Sequence, residues 1–121
     1  MRLRDATPAD ADAIATIYAP HVLHGTAAAE EFPPAAAEMA ARMNKVRAVG
    51  LPYIAAEQDG AVSDCAYLSP YHARAAYRLT VENAVYDVAV QGQGICRALL
   101  AELIACADAL GLAQMVASIS A

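Results

Sequence analysis

The stretch VYDVAVQGQGICRALLAEL, residues 85–103, passes from an apolar strand-like run through Gly92 and Gly94 into an apolar helical pattern. Glycine in the first turn of a helix lowers its stability, so bare backbone at this point has to serve something. The natural occupant is an anionic group resting on the free N–H donors of a helix N-terminus. Strand, glycine loop and helix in that order, near the end of the chain, point to a mixed α/β fold, and the rest of the chain is read outward from them.

Downstream, Ile95, Leu99, Leu103, Cys106 and Leu110 recur on one face of a helix over 94–110 that Gly111 closes. "AQMVASIS" then reads as a last strand over 113–120. Upstream, "YIAAEQ" and "AVSDCAYLSPY" flank Asp59–Gly60, a dipeptide suited to a tight hairpin. "YHARAAYRL" is a turn or short helix, and the strand before the glycines spans 77–90. Near the start, "RLRDA" alternates as a short strand. Thr7, Pro8 and Asp10 then give a helix cap, a first-turn proline and a first-turn acid. Ile14, Ile17 and Tyr18 continue that helix and Pro20 marks its end or a kink. A second helix over 35–48 carries Met39, Met43 and Val46, with Gly50 and Pro52 ending it. The order is βααβββαβ: a single domain over 1–121, α/β of the α+β type, with a mixed, mostly antiparallel sheet flanked by helices. Strand 77–90 is expected at its centre, splayed from strand 113–120, with helix 94–110 between them.

Composition narrows the function classes. The 121 residues are 59% hydrophobic, much of it alanine, with a mean hydropathy of +0.34. No run reaches the ~20 apolar residues of a membrane span. Asp5, Asp10 and Asp12 follow the two N-terminal arginines, so the start does not read as a secretory signal, and a cytoplasmic location is expected. Net charge is −5, with 8 Lys+Arg scattered along the chain; a phosphate-backbone partner wants a basic stripe, so nucleic-acid binding is not expected. Cys65, Cys96 and Cys106 share no C-x-x-C spacing, and His21, His24 and His72 have no further ligand at metal spacing. Neither disulfides nor a metal site are expected.

The glycine loop alone leaves three readings open. A dinucleotide fingerprint needs a third glycine where Arg97 stands and an acid about twenty residues on. A phosphate-binding P-loop needs a G-K-[ST] ending that is absent, and a plain strand-to-helix turn with no ligand fits "GQG" as well.

Longer text carries more. "QGQGIC" after a strand resembles the Q/R-x-x-G-x-G/A loop of the GNAT acetyltransferase superfamily. "LRDATPADADAIATIY", "HVLHGTAAAEE", "GLPYIAAEQDG", "AYLSPYHARAAYRLTVENAVY" and "RALLAELIACADALGLAQMVASI" together resemble the phosphinothricin and methionine-sulfone N-acetyltransferase family over nearly the whole chain. The Y-R-x-T-V-E-x-x-V-Y segment, residues 77–86, is the most specific part. The resemblance implies an acetyl-CoA-dependent N-acetyltransferase acting on the amine of a small amino-acid-like substrate such as phosphinothricin or methionine sulfone or sulfoximine. It implies Glu82 as general base, and Ala75, Ala76, Tyr77, Glu82, Asn83 and Ala84 as substrate contacts. Val85, Tyr86 and Asp87 would run beside the pantetheine arm of acetyl-CoA; Gly92, Gln93, Gly94, Ile95, Cys96 and Arg97 would hold its pyrophosphate. The bland counterpart is a solvated strand glutamate, a core tyrosine and a small buried cysteine.

The chain departs from the family at several points, among them a stretch between Tyr86 and Gln91 that is one residue shorter. Gln91 and Gln93 stand where a cation is usual, Cys96 where a glycine is usual, and Asp87 where the family has an apolar residue. The text also stops where the family continues with a helix and two strands. A homodimer or larger assembly is therefore expected, through strand 113–120. The same departures motivate the other reading, a truncated, non-catalytic relative acting as a self-associating structural or interaction domain.

Overall fold

The computed structural model describes residues 2–23, 32–70, 80–87, 94–112 and 114–117. Its five strands are β1 (Arg2–Asp5), β2 (Tyr53–Gln58), β3 (Ala61–Pro70), β4 (Thr80–Asp87) and β5 (Gln114–Ala117), paired in that order in one sheet. The helices are α1 (Ala11–Leu23), α2 (Ala36–Ala48) and α3 (Ile95–Ala109), with a 3₁₀ turn at Pro8–Asp10 ahead of α1. The first three strand pairs are antiparallel, and β4–β5 is parallel. Parallel neighbours need a crossover, and α3 supplies it.

The hairpin forms where Asp59–Gly60 predicts it. Both residues have positive φ, 51° and 81°, as a type I′ turn requires. That turn seats β3 beside β2, and β1 adds to the far edge of β2, so β3 occupies the middle of the sheet. Strand β4, expected at the centre, lies one place off it, between β3 and β5. Its pairing with β5 runs from Thr80–Gln114 to Asn83–Ala117, so over these residues the two strands are hydrogen-bonded rather than splayed as expected; residues 88–90 and 118–120 lie outside the described residues.

Strand alternation divides the core in two. Tyr53, Ala55 and Cys65 face α1 and α2, packing with Ala6, Ile14, Tyr18, Met39, Met43 and Val46. Ile54, Ala56, Ala66, Leu68 and Val81 face α3, against Ile95, Leu99, Leu103 and Ala107. With both faces covered, four consecutive β2 residues, Tyr53–Ala56, are buried, which reads as a continuous apolar run rather than an alternation. The alanines on the sheet let the helices approach closely.

Two helix ends differ from the sequence expectation. α1 runs through Pro20 to Leu23; proline deprives it of one backbone hydrogen bond, which packing of Ile14 and Tyr18 outweighs. Leu110, expected on the buried stripe of α3, is exposed. The helix closes there in a Schellman turn, with Leu112 N–H donating to the Ala107 carbonyl and Gly111 N–H to that of Asp108. Gly111 takes the left-handed conformation, φ 72°, and Leu112 rather than Leu110 packs on the cluster.

Asp10 ties β1 to the start of α1. Its Oδ2 accepts the Thr7 N–H at 2.8 Å, and both its oxygens accept the Arg4 fork at 2.8 and 2.9 Å. Arg4 Nε also donates to Glu57 on β2 at 3.2 Å. Foremost the Arg4 fork, and then the Thr7 N–H, hold the Asp10 carboxyl below its ordinary range despite partial burial. The stability this lends is complete above the unfolded carboxylate value, about 3.9, and is lost as pH falls through the lowered folded value. Asp10→Asn is expected to cost about 1–3 kcal/mol at pH 7, with the difference in melting temperature from the parent shrinking as thermal scans move from pH 7 to pH 3.

Candidate functional site

Strand β4 carries residues 80–86 of the segment most specific to the family resemblance, and its pairing places each of them; residues 77–79 lie outside the described residues. Glu82 lies opposite Ser69 on β3 and Val116 on β5. Asn83 is paired with Leu68 and Ala117, Ala84 with Tyr67, and Val85 with Ala66. Tyr86 is opposite Cys65, and Asp87 is opposite Asp64, a buried acid at 3% exposure. Ser63 Oγ donates to Asp64 Oδ1 at 2.6 Å.

At the head of α3, Gly94 is the N-cap with φ 73°, a left-handed conformation that suits glycine. Its carbonyl accepts the Ala98 N–H at 3.0 Å, so the N–H groups of the first turn have no acceptor inside the helix. A Cβ built on Gly94 meets nothing within 4 Å. Ile95 is buried against the sheet, Arg97 is exposed, and Cys96 belongs to this first turn. Gly94 and the first turn of α3 therefore present donors and open space at the place where an anionic group is one of the readings of the sequence. Gly92, Gln93, Ala75, Ala76 and Tyr77 lie outside the described residues.

The sequence reading missed a cavity of about 410 Å³ on the α1–α2 face. Tyr53 and Tyr67 form part of its wall, their rings stacked at 4.7 Å and 15°. Met39 and Val46 from α2, and Val49 just past its end, also line it. Ser69 and Pro70 reach it from the end of β3, beside the register positions of Glu82 and Val81. Arg42 and Lys45 add positive charge to an otherwise apolar lining, with Arg42 Nε also bridging Glu38 at 3.1 Å. The methionine and valine spacing on α2 was legible as a core stripe, and Met39, Met43 and Val46 are all buried; Met39 and Val46 also border the cavity.

Neither Cys65 nor Cys106, the thiols among the described side chains, supplies a nucleophile. Burial, with the charge of Asp64 adding to it, pushes Cys65 up to about 12, and burial raises Cys106 as well. A thiol held protonated is inert.

A three-stranded antiparallel meander, a parallel fifth strand and a glycine-capped crossover helix define the GNAT fold, and the comparisons agree. No protein-family model matches the chain. Phosphinothricin N-acetyltransferase of Alcaligenes faecalis is 46% identical over 111 residues, 91% of this chain and 56% of that protein. The L-methionine sulfoximine/L-methionine sulfone acetyltransferase of Salmonella typhimurium is 34% identical over 120 residues, 98% of this chain and 70% of that one. The crystal structure of a GNAT superfamily phosphinothricin acetyltransferase from Sinorhizobium meliloti, in complex with acetyl-CoA, superposes with a TM-score of 0.95 at 45% identity. That match covers 98% of this chain and 65% of the other. The chain belongs to the phosphinothricin and methionine sulfone/sulfoximine N-acetyltransferase family of the GNAT superfamily. It spans between 56% and 70% of the length of these three relatives. No described helix is long and apolar enough to cross a membrane.

Proposed function

We propose that the chain is an acetyl-CoA-dependent N-acetyltransferase acting on the amine of a small amino-acid-like acceptor, phosphinothricin and methionine sulfone or sulfoximine being the models. The observation that carries this reading is Gly94: a left-handed N-cap with open space above it, at the head of the helix that links the parallel pair β4–β5. Acetyl-CoA supplies an acetyl group activated as a thioester. The backbone N–H groups of 92–97 receive its pyrophosphate, and Val85, Tyr86 and Asp87 run beside its pantetheine arm. With Gln91 and Gln93 in place of cations, the loop binds phosphate mainly through backbone donors and the helix dipole.

Glu82 takes a proton from the acceptor's ammonium group, directly or through one water, which frees the nitrogen lone pair for attack. Ala75, Ala76, Tyr77, Asn83 and Ala84 hold that acceptor in place. Self-association belongs to the same proposal. β5 is an edge of the described sheet, where a further strand, from a second copy or a longer chain, can pair.

Calorimetric titration of acetyl-CoA into the 121-residue chain tests the reading. Micromolar-range binding is expected for the parent. Gly94→Val forces a β-branched residue into the left-handed region at a cost of about 1–2 kcal/mol and puts side chain where the phosphates belong, so its binding is expected to weaken at least tenfold. No heat of binding in the parent would remove the proposal.

A further inference from the structure

Helix α3 packs one face on the sheet and turns an apolar stripe outward. Leu100, at 37% exposure, and Ile104, at 53%, lie one turn apart on that outer face. Arg97, Ala101, Ala105 and Asp108 share it and are all exposed. Counted from Arg97, these residues fall at three, four, seven, eight and eleven positions on, the spacing of a single helix face. That face lies roughly opposite Leu99, Leu103 and Ala107, which pack into the core. Exposed apolar surface gathered in one place marks a contact with another surface. Charge is the second observation. Arg97 stands in the first turn and Asp108 in the last, with no acid at the start of the helix and no base at its end. Both are the wrong way round for the helix dipole, which favours the opposite arrangement by about 0.3–1 kcal/mol for each charge. Neither has an ion-pair partner among the described residues. Two charges set against their own helix are complementary to a second helix running the other way.

We propose that this face docks a second copy of the chain, the two α3 helices packing antiparallel about a two-fold axis at the level of residues 102–103. The register follows from the positions themselves. Leu100 meets Ile104 of the second copy along one side of the seam, and Ala101 meets Ala105 of the second copy along the other. The aliphatic side supplies apolar area, and the alanine side lets the backbones approach. At each end Arg97 reaches Asp108 of the second copy, and each charge then lies beside the end of the opposing helix that its dipole makes favourable. One patch that complements itself in this way is what an isologous contact requires. The helix has 15 residues, about 22 Å at 1.5 Å per residue. A contact of that length falls at the small end of specific interfaces, below about 1,200 Å², so the dimer is a reversible one. The surface is separate from the β5 edge and does not rest on the acetyltransferase reading. The proposed phosphate site uses the backbone N–H of Arg97 and leaves its guanidinium to this contact.

Sedimentation equilibrium of the full 121-residue chain tests the contact. The parent is expected to show a monomer–dimer equilibrium with a Kd of about 1–100 μM. Ile104→Glu puts a charge into the seam and is expected to weaken association about tenfold or more. Ile104 is exposed in the single chain, so this variant should fold, as a thermal melt will verify. Charge reversal is the sharper measurement. Arg97→Glu and Asp108→Arg each set like charges opposite one another and are expected to weaken the dimer about tenfold. The double variant restores opposite charges and is expected to return to within about threefold of the parent. Each reversal places its charge where its own helix dipole favours it, so neither single variant loses the dimer by unfolding. A parent that stays monomeric up to about 1 mM would overturn the proposal and leave this face to a different partner. An association that Ile104→Glu leaves unchanged would overturn it in favour of the β5 edge. A double variant as weak as the singles would remove the antiparallel register. Acetyl-CoA binding is read by calorimetry, so either reading fails without the other.

Discussion

Glu82→Gln is expected to lower the rate of acetyl transfer by about 10²–10⁴-fold, the range that removal of a general base produces. Glutamine keeps the shape of glutamate but cannot accept the ammonium proton. The two flanking ladders, to Ser69 and Val116, are backbone pairings that the substitution does not touch. Acetyl-CoA affinity by calorimetry should therefore stay within twofold of the parent. Raising the pH should rescue part of the lost rate, because more acceptor then arrives already deprotonated. Turnover equal to the parent would dismiss Glu82 as the base and leave it as a strand residue of ordinary kind.

Leu99→Ala is expected to destabilise the fold by about 2–5 kcal/mol, the usual cost of a large-to-small change in a fully packed core. Leu99 is wholly buried on α3 and shares its cluster with Leu103, Leu68 and Val81. Several of its neighbours, Ala56, Ala66 and Ala107 among them, are already alanine. Their methyl groups are too short and rigid to extend into a hole, so collapse around it is limited and the upper half of that range is expected. Chemical denaturation with an unchanged m-value and a lower midpoint is the measurement. A loss below about 1 kcal/mol would mean that α3 can settle onto the sheet.

Much of the fold was legible because local chemistry decided it. Asp59–Gly60 could be little other than a tight turn, and Gly94 and Gly111 bracket α3 with left-handed residues that the sequence names directly. Ile95, Leu99 and Leu103 kept helical spacing and are all buried. What was hidden depends on pairings over distance. Counting outward from a two-residue turn sets Tyr53 opposite Ala66, which would leave Tyr53 and Tyr67 on opposite faces. A bulge between Ala56 and Glu57 of the β2–β3 ladder, with Ser63 the extra residue, moves the partner of Tyr53 to Tyr67 and lets the rings stack. No single-sequence pattern marks that bulge, so the cavity beside it was invisible. The exposed Leu110 was misread for a similar reason: the Schellman turn hands its place in the core to Leu112 two residues later.

The parallel pairing of β4 with β5 also sets an order of events at the ribosome. β4 can add to the β2–β3 hairpin as soon as it emerges, but its other edge has no native partner until Gln114–Ala117 follow. Position 114 trails position 80 by 34 residues, which at roughly 5–20 residues per second leaves the nascent edge open for about 2–7 seconds. During that interval the strand bearing Glu82 offers unpaired N–H and C=O groups beside an apolar face not yet covered by α3. That is the form a neighbouring nascent chain can add to, and the form a holdase chaperone recognises.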